Sequence, residues 1–384
     1  MTFEFATSNR ILFGSGTLIK AAPLARELGH KALIVAGQSI QRIAPLLEQL
    51  HVHRIEYVII NSGGEPTTES IETALQKARS ADIDLVISIG GGSAIDAGKA
   101  ISAMLTNPGD VLNYLEVIGH GRPLMNNPLP HIAIPTTAGT GAEVTKNAVL
   151  RSTAHNVKVS LRHNKMIPDI AIVDPELTLS MPPEITAATG MDALTQLIEP
   201  YVCNRANPLT DALCREGIKR AARSLKIACE HGDNLKARED MAVASLFGGL
   251  ALANARLGAV HGFAGPIGGL FDAPHGAVCA RLLPLVMEAN LKALRARAAD
   301  SPALPRYEQI ARLLTDSEKA GADDGIAWVR ELGGQLNIPG LADCGMTSGD
   351  IPAIVNQAQK ASSMKGNPIK LDKKELAGIL EKAL

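Results

Sequence analysis

The sequence predicts an α/β domain followed by an all-α domain: a mainly parallel sheet with flanking helices over residues 1–180, then a helical domain over residues 181–384. Three observations predict it. Strand-like and helix-like stretches alternate through the first half, and polar, glycine-containing loops follow the strands. After Met181-Pro182-Pro183 the strand pattern stops and apolar residues recur at helical spacing. A chain of 384 residues also exceeds the usual size of one core.

In chain order, Lys31–Ala36 reads as a strand, 40–50 as a helix, 54–60 as a strand and 67–81 as a helix. Residues 84–89 are short, β-branched and uninterrupted, as a parallel strand covered on both faces should be. Gly90, Gly91 and Gly92 then permit backbone conformations that a Cβ forbids and allow close approach to a ligand. Ser93 sits where a helix N-cap belongs, and the leading N–H groups of that helix, with its positive dipole end, form a site for a pyrophosphate. The spacing is not G-x-G-x-x-G. Gly98-Lys99 has a Walker-like look, but Ala100 stands where that loop requires Ser or Thr. Strands at 131–135 and 169–174 follow, with an irregular segment between them.

In such sheets ligands bind beyond the carboxyl ends of the strands. Gly63-Gly64-Glu65-Pro66-Thr67, the loop Gly90 to Ser93, and the hydroxyl-rich loop from Pro135 to Thr145 all fall there. Together they suit an extended phosphate-bearing ligand.

The second half reads as helices at 184–202, from Asn207 (N-cap) and Pro208 (first turn) to about Cys229, and at 235–256. Another starts at Pro274-His275-Gly276, and the remainder divides at Gly321, Gly333-Gly334, Pro339, Gly345 and Pro368.

Composition narrows the function. Lys plus Arg (38) nearly balance Asp plus Glu (39), which leaves no electrostatic footprint for nucleic acid or an anionic membrane. No secretory leader or membrane-length apolar run stands out, so the expected location is cytoplasmic. The five cysteines are scattered, without a C-x-x-C pair, which argues against a disulfide frame or a thiolate zinc site. All five read as small apolar residues.

A few polar residues do not fit their apolar surroundings. Asp192 and Gln196 share one face of an otherwise largely apolar helix, and of ten histidines only His261 and His275 lie in largely uncharged, apolar stretches. One reading is a carboxylate near a helix start and two core histidines bonded to carbonyls. The other is a one-carboxylate, two-histidine metal site with an open position. Spacing alone does not choose between them.

Six collinear motifs carry a resemblance. They are Gly-Gly-Gly-Ser-x-x-Asp-x-x-Lys at 90–99, Pro-Thr-Thr-Ala-Gly-Thr-Gly-x-Glu-Val-Thr at 135–145, Asp-Pro-Glu-Leu at 174–177, Met-Pro-Pro-Glu at 181–184, Gly-Met-Asp-Ala-Leu at 190–194 and Pro-His-Gly at 274–276. Over nearly its whole length the chain resembles the iron-dependent (group III) alcohol dehydrogenases. The resemblance implies an N-terminal dinucleotide-binding α/β domain and an all-α C-terminal domain holding Fe²⁺ or Zn²⁺, in a dehydroquinate synthase-like architecture. It also implies nicotinamide-dependent interconversion of small alcohols with aldehydes or ketones by a homo-oligomer, a dimer or larger. Carried over residue by residue, phosphate contacts fall on Gly91, Gly92 and Ser93, adenosine and nicotinamide contacts on Thr136, Thr137, Thr140 and Thr145, and a ribose contact on Lys158. The metal ligands fall on Asp192, His261 and His275. Two positions depart from the family pattern: Gln196 stands where a fourth, histidine ligand is usual, and Gly265 where a proton-relaying histidine is usual.

No side chain is assigned as the proton acceptor; His275, Asp96 and water are the candidates. Two rivals keep the fold. One is a lyase resembling dehydroquinate synthase, which needs more basic residues than the helical motifs offer; the other is a metal-free dinucleotide-binding descendant. The cofactor is NADP or NAD, with NADP favoured. Relatives that favour NAD carry an aspartate at the end of the second strand, where this chain has Gly37. A glycine makes room for a 2′-phosphate, while Ser39 and Arg42 offer it a hydrogen bond and a charge.

Overall fold

Six parallel strands build the sheet: β1 (Arg10–Phe13), β2 (Lys31–Ala36), β3 (Glu56–Asn61), β4 (Leu85–Gly90), β5 (His131–Pro135) and, after a separate antiparallel hairpin of β6 (Asn147–Ser152) and β7 (Val157–Arg162), β8 (Ile170–Val173). These come from a computed structural model that describes residues 2–37, 40–155, 157–271 and 273–384. The strand order is β1-β8-β5-β4-β2-β3. Alternation along each strand explains why the sheet is apolar on both faces. In β2, Leu33 and Val35 join one buried cluster with Leu75 and Ile101, while Ala32, Ile34 and Ala36 join another with Leu46 and Ile172. The helices supplying those covers are α1 (Ala21–Leu28), α2 (Ala44–Val52), α3 (Thr68–Arg79) and α4 (Gly92–Thr106).

The order creates a switch point. From β2 the chain steps outward to β3, then returns to place β4 on the other side of β2. A crevice for a ligand opens where neighbouring strands send their connections in opposite directions. Here those strands are β2 and β4, whose carboxyl ends are Gly37 and the glycine run at 90–92.

Several boundaries differ from the sequence reading. Arg54 turns through a left-handed conformation (φ 55°), so the strand expected from residue 54 begins at Glu56. A 3-10 turn, Ile40–Ile43, precedes α2 and delays it to Ala44. The segment read as irregular is the β6–β7 hairpin; exposed Val149 breaks the apolar alternation of β6 and hides it. β1 and α1 lie in a stretch where no element was expected.

The remaining helices are α5 (Pro183–Val202), α6 (Pro208–Glu230), α7 (Leu235–Asn254), α8 (Ala259–Leu270), α9 (His275–Arg297), α10 (Ala303–Thr315), α11 (Ala322–Gln335), α12 (Ile351–Ala358) and α13 (Lys373–Ala383). The start of α6 is dictated locally: Asn207 Oδ1 accepts from the Thr210 amide, and Pro208 occupies the first turn, where no N–H is required. By contacts the chain divides into a unit of Ala6–Thr137 with Gly141–Thr178, and a unit of Leu179–Leu384 with residues 2–5 and Ala138–Thr140. Among the described residues no single helix is long and apolar enough to cross a membrane.

Candidate functional site

At the carboxyl end of β4 the main chain is tightly packed. A Cβ on Gly90 would stand 2.7 Å from the Ala94 side chain and 3.2 Å from the Gly37 nitrogen, so only glycine fits. The cap of α4 corrects the sequence reading: it is Gly91, extended at φ −72°, ψ −178°, and Ser93 lies inside the first turn. The Gly91 carbonyl accepts from the amides of Ala94 and Ile95 at 3.0 and 3.2 Å, and no side chain caps the helix. The leading amides are thereby left to a ligand oxygen. Thr136 donates its amide to the Gly90 carbonyl (2.9 Å), Thr137 lies against Gly91, and Gly37 donates its amide to the Ile89 carbonyl (3.1 Å). Gly37, Gly91, Gly92, Ser93, Thr136 and Thr137 therefore gather at one edge of the sheet. Ser39 falls outside the described residues.

Other expected contacts are engaged within the chain. Thr145 Oγ1 accepts from Lys99 Nζ (3.0 Å) and donates to the Ala142 carbonyl (3.2 Å), and Lys158 pairs with Glu65. Thr140 belongs to the short segment grouped with the helical unit. Lys99 is wholly buried; its ammonium donates to the carbonyls of Ala142 and Asn147 and lies 2.8 Å from Asp96 Oδ1. Asp96 Oδ2 accepts from the Val149 amide. Two further buried groups lie in this unit. Burial, with Lys99 adding to it, lowers the His131 imidazole to about 3, and its Nε2 lies 2.7 Å from Ser88 Oγ. Burial pushes the Glu143 carboxyl up to about 7, against the opposing pull of its backbone hydrogen bond and Lys99.

The helical unit holds a different kind of cluster. On α5, Gln196 Nε2 donates to Asp192 Oδ2 at 3.1 Å. Asp192 Oδ1 is buried and makes no hydrogen bond among the described residues; it faces His261 Nε2 at 3.3 Å and His275 Nε2 at 3.9 Å. Glu199 orients His261. Its Oε2 lies 2.7 Å from His261 Nδ1 and its Oε1 accepts from the Val260 amide, which leaves Nε2 turned towards Asp192. His275 opens α9, and one turn later Cys279 Sγ lies 3.7 Å from His275 Nε2 and 3.9 Å from His261 Nε2. The two rings are tilted by 53°, so they converge through their nitrogens rather than stack. The His275 side chain retains 39% exposure, which gives the cluster an open side.

The electrostatics agree in sign. Burial pushes Asp192 up, but His261, His275 and the Gln196 amide outweigh it and hold the carboxyl below its ordinary range. Burial pulls His261 down, yet Cys279, Asp192 and Glu199 raise it well above the ordinary value. Cys279 is also the main cause that raises His275. The Asp192 shift keeps its carboxylate charged, and the histidine shifts favour positive charge beside it. Ligand atoms of Asp192, His261, His275 and Cys279 all lie within 4.8 Å of one another. A partnerless carboxylate oxygen beside two imidazoles and a sulfur is a donor set that fits a divalent transition metal.

Two members were missed in the sequence. Glu199 follows Asp192 and Gln196 at helical spacing on the same face of α5, a signal that was available. Cys279, read as apolar filler, is one turn from His275. At Gly265, where a side chain is absent, a Cβ would meet nothing within 4 Å, so the face of α8 beyond His261 is open. At Gly276 the opposite holds: a Cβ would stand 2.3 Å from the Ala188 carbonyl oxygen, so α9 meets α5 backbone to backbone beside His275.

Comparison with known proteins matches residues 8–175 to the family model described as iron-containing alcohol dehydrogenase, and residues 186–384 to the C-terminal model of the Fe-containing alcohol dehydrogenase family. A 1,3-propanediol dehydrogenase of Citrobacter freundii is 37% identical over 99% of this chain and 98% of its own length. A crystal structure of a 1,3-propanediol oxidoreductase superposes with a TM-score of 0.92 at 34% identity, covering 100% of both chains. A sulfoacetaldehyde reductase from Bifidobacterium kashiwanohense, solved in complex with NAD+, gives 0.89 at 26% identity, covering 100% of this chain and 99% of the other.

Proposed function

Because the chain belongs to the iron-containing alcohol dehydrogenase family, we infer that it is a metal-dependent oxidoreductase, moving a hydride between a nicotinamide cofactor and a small alcohol, aldehyde or ketone. The observation that carries this reading is the buried Asp192 Oδ1, which no hydrogen bond satisfies and which two imidazoles face. Asp192, His261 and His275 would hold the metal. When bound, a divalent ion supplies a Lewis acid that lowers the pKa of an alcohol hydroxyl or polarises a carbonyl.

The rest of the work belongs to the chain. Glu199 holds His261 by its Nδ1, so that Nε2 faces Asp192 and, once its proton is displaced, would present its lone pair to the metal. Gln196 occupies Asp192 Oδ2 and leaves Oδ1 for coordination. The partial exposure of His275 leaves a side through which a small substrate enters. In the α/β unit, Gly91, Gly92 and Ser93 offer amides to a pyrophosphate, with Gly90 keeping the turn close-packed.

Within this reading the preferred cofactor is NADP, because Gly37 puts no carboxylate at the end of β2 to repel a 2′-phosphate. The working form is a homodimer in the cytoplasm, checked by sedimentation. The test of the activity is metal analysis of protein purified without chelator, paired with NAD(P)H formation from simple alcohols. Stoichiometric divalent metal with alcohol-dependent turnover supports the reading; turnover indifferent to metal removal sinks it. Steady-state kinetics with both cofactors tests the preference. Gly37→Asp should move the kcat/KM ratio several-fold towards NAD, and a parent enzyme that already favours NAD refutes the NADP assignment.

A further inference from the structure

We propose that Cys279 is a fourth protein ligand, so that the metal is held by one carboxylate, two imidazoles and a thiolate; this rests on the metal-site reading above and deepens it. The argument is geometric. With bonds of roughly 2.0–2.3 Å in a tetrahedron, ligand atoms lie roughly 3.3–3.6 Å apart. Of the six edges of the cluster, two lie within 4.8 Å and four approach the tetrahedral range: His261 Nε2 to Asp192 Oδ1 at 3.3 Å, Cys279 Sγ to His275 Nε2 at 3.7 Å, and Cys279 Sγ to His261 Nε2 and His275 Nε2 to Asp192 Oδ1 each at 3.9 Å. Contraction by a few tenths of an ångström closes those four around an ion.

The placement also has a local cause. His275 and Cys279 are four residues apart on α9, so their side chains leave the helix on the same face, one turn above the other. Cys279 is fully buried and directs its sulfur at two ring nitrogens rather than into the apolar core. The partnerless Asp192 Oδ1 is an independent sign that the space between these atoms is for a cation. Gln196 Nε2 is spent on Asp192 Oδ2, which leaves its buried Oε1, a weak neutral oxygen ligand, as the rival to the Cys279 sulfur. A thiolate softens the donor set and tilts the site towards Zn²⁺ over Fe²⁺. The half-exposed side of His275 would remain the approach for a substrate.

X-ray absorption of the Zn²⁺-loaded full-length protein should show one sulfur neighbour at ~2.3 Å. Loaded with Co²⁺, it should show a near-ultraviolet thiolate-to-cobalt charge-transfer band. Cys279→Ser should abolish that band, keep one metal per chain and loosen its binding by more than roughly tenfold. Metal bound with nitrogen and oxygen neighbours alone overturns the thiolate assignment and leaves the metal reading standing. A parent protein that retains none of Zn²⁺, Co²⁺ and Fe²⁺ overturns both. If the serine variant does not fold, absorption on the parent protein decides.

Discussion

Each unit buries a polar cluster, and the two are finished differently. In the α/β unit the Lys99 ammonium is ringed by the carbonyls of Ala142 and Asn147, the Thr145 hydroxyl and the Asp96 carboxylate. In the helical unit Asp192 Oδ1 makes no hydrogen bond and faces two imidazole nitrogens whose other close neighbour is the Cys279 sulfur. The first cluster brings its own counter-groups and ties α4 to the β6 region. The second is complete only when something arrives. Burial and charge alone do not separate structure from function; the difference is that Asp96 Oδ1 lies 2.8 Å from a wholly buried ammonium, whereas Asp192 Oδ1 faces two imidazoles, one of them half-exposed.

Substitutions can break that contrast. His275→Ala should remove the metal and lower kcat/KM by at least about 10³-fold while the thermal melt stays close to that of the metal-stripped parent, because several kcal/mol of transition-state stabilisation leave with the ion. Metal at full stoichiometry with activity intact would reverse the assignment. Lys99→Met should do the opposite, destabilising by about 3 to 5 kcal/mol in a denaturant titration, since Asp96 and the acceptor oxygens lose their cation. Metal content per folded chain should not move; if it does, the Lys99 cluster is more than structural.

A pH series sharpens the same point. Glu143 keeps its proton up to about pH 7 in the fold but loses it near 4.5 when unfolded, so its stabilising contribution is full below 4.5 and disappears as pH rises through 7. Glu143→Gln should therefore gain about 3 kcal/mol on the parent between about pH 4 and about pH 8 in urea titrations. A difference that stays flat with pH would show that burial is not governing Glu143. His131 has the other sign, because neutral burial loses stability as pH falls from 6.5 towards 3. The smallest effect is expected from Glu199→Gln, which keeps the shape but weakens the hold on His261 Nδ1. Metal affinity should fall between about 10- and 100-fold by chelator competition, with no change in stoichiometry. An unchanged affinity would remove Glu199 from the supporting shell.

The sequence was most legible where one local cause acts. The run 84–89 could only be a doubly covered strand, and Asn207-Pro208 carries its own helix start. It was least legible where the cause is distant. Ser93 is as good a capping residue as any, yet Gly91 takes the cap because the chain must pass within reach of Gly37. Cys279 looked apolar because a cysteine's character depends on its neighbours, here a histidine on its own helix and another on α8. Asp192, His261 and His275 could be nominated from their apolar surroundings, but the partnerless oxygen that gives them meaning exists only once three helices meet.

At Gly276 the contact between α9 and α5 acts as a gauge block. Side chains in a core can rotate and repack, but a main-chain carbonyl stopped against a Cα leaves no slack to take up. The span from Asp192 to His275 is therefore machined into the backbone, with a tolerance much finer than the packing around it. Exchanging Leu for Met or Ile for Val among the surrounding helices should alter how much heat the unit survives well before it alters the spacing of its ligands. A single methyl group at 276, 2.3 Å from a main-chain oxygen, should disturb both at once.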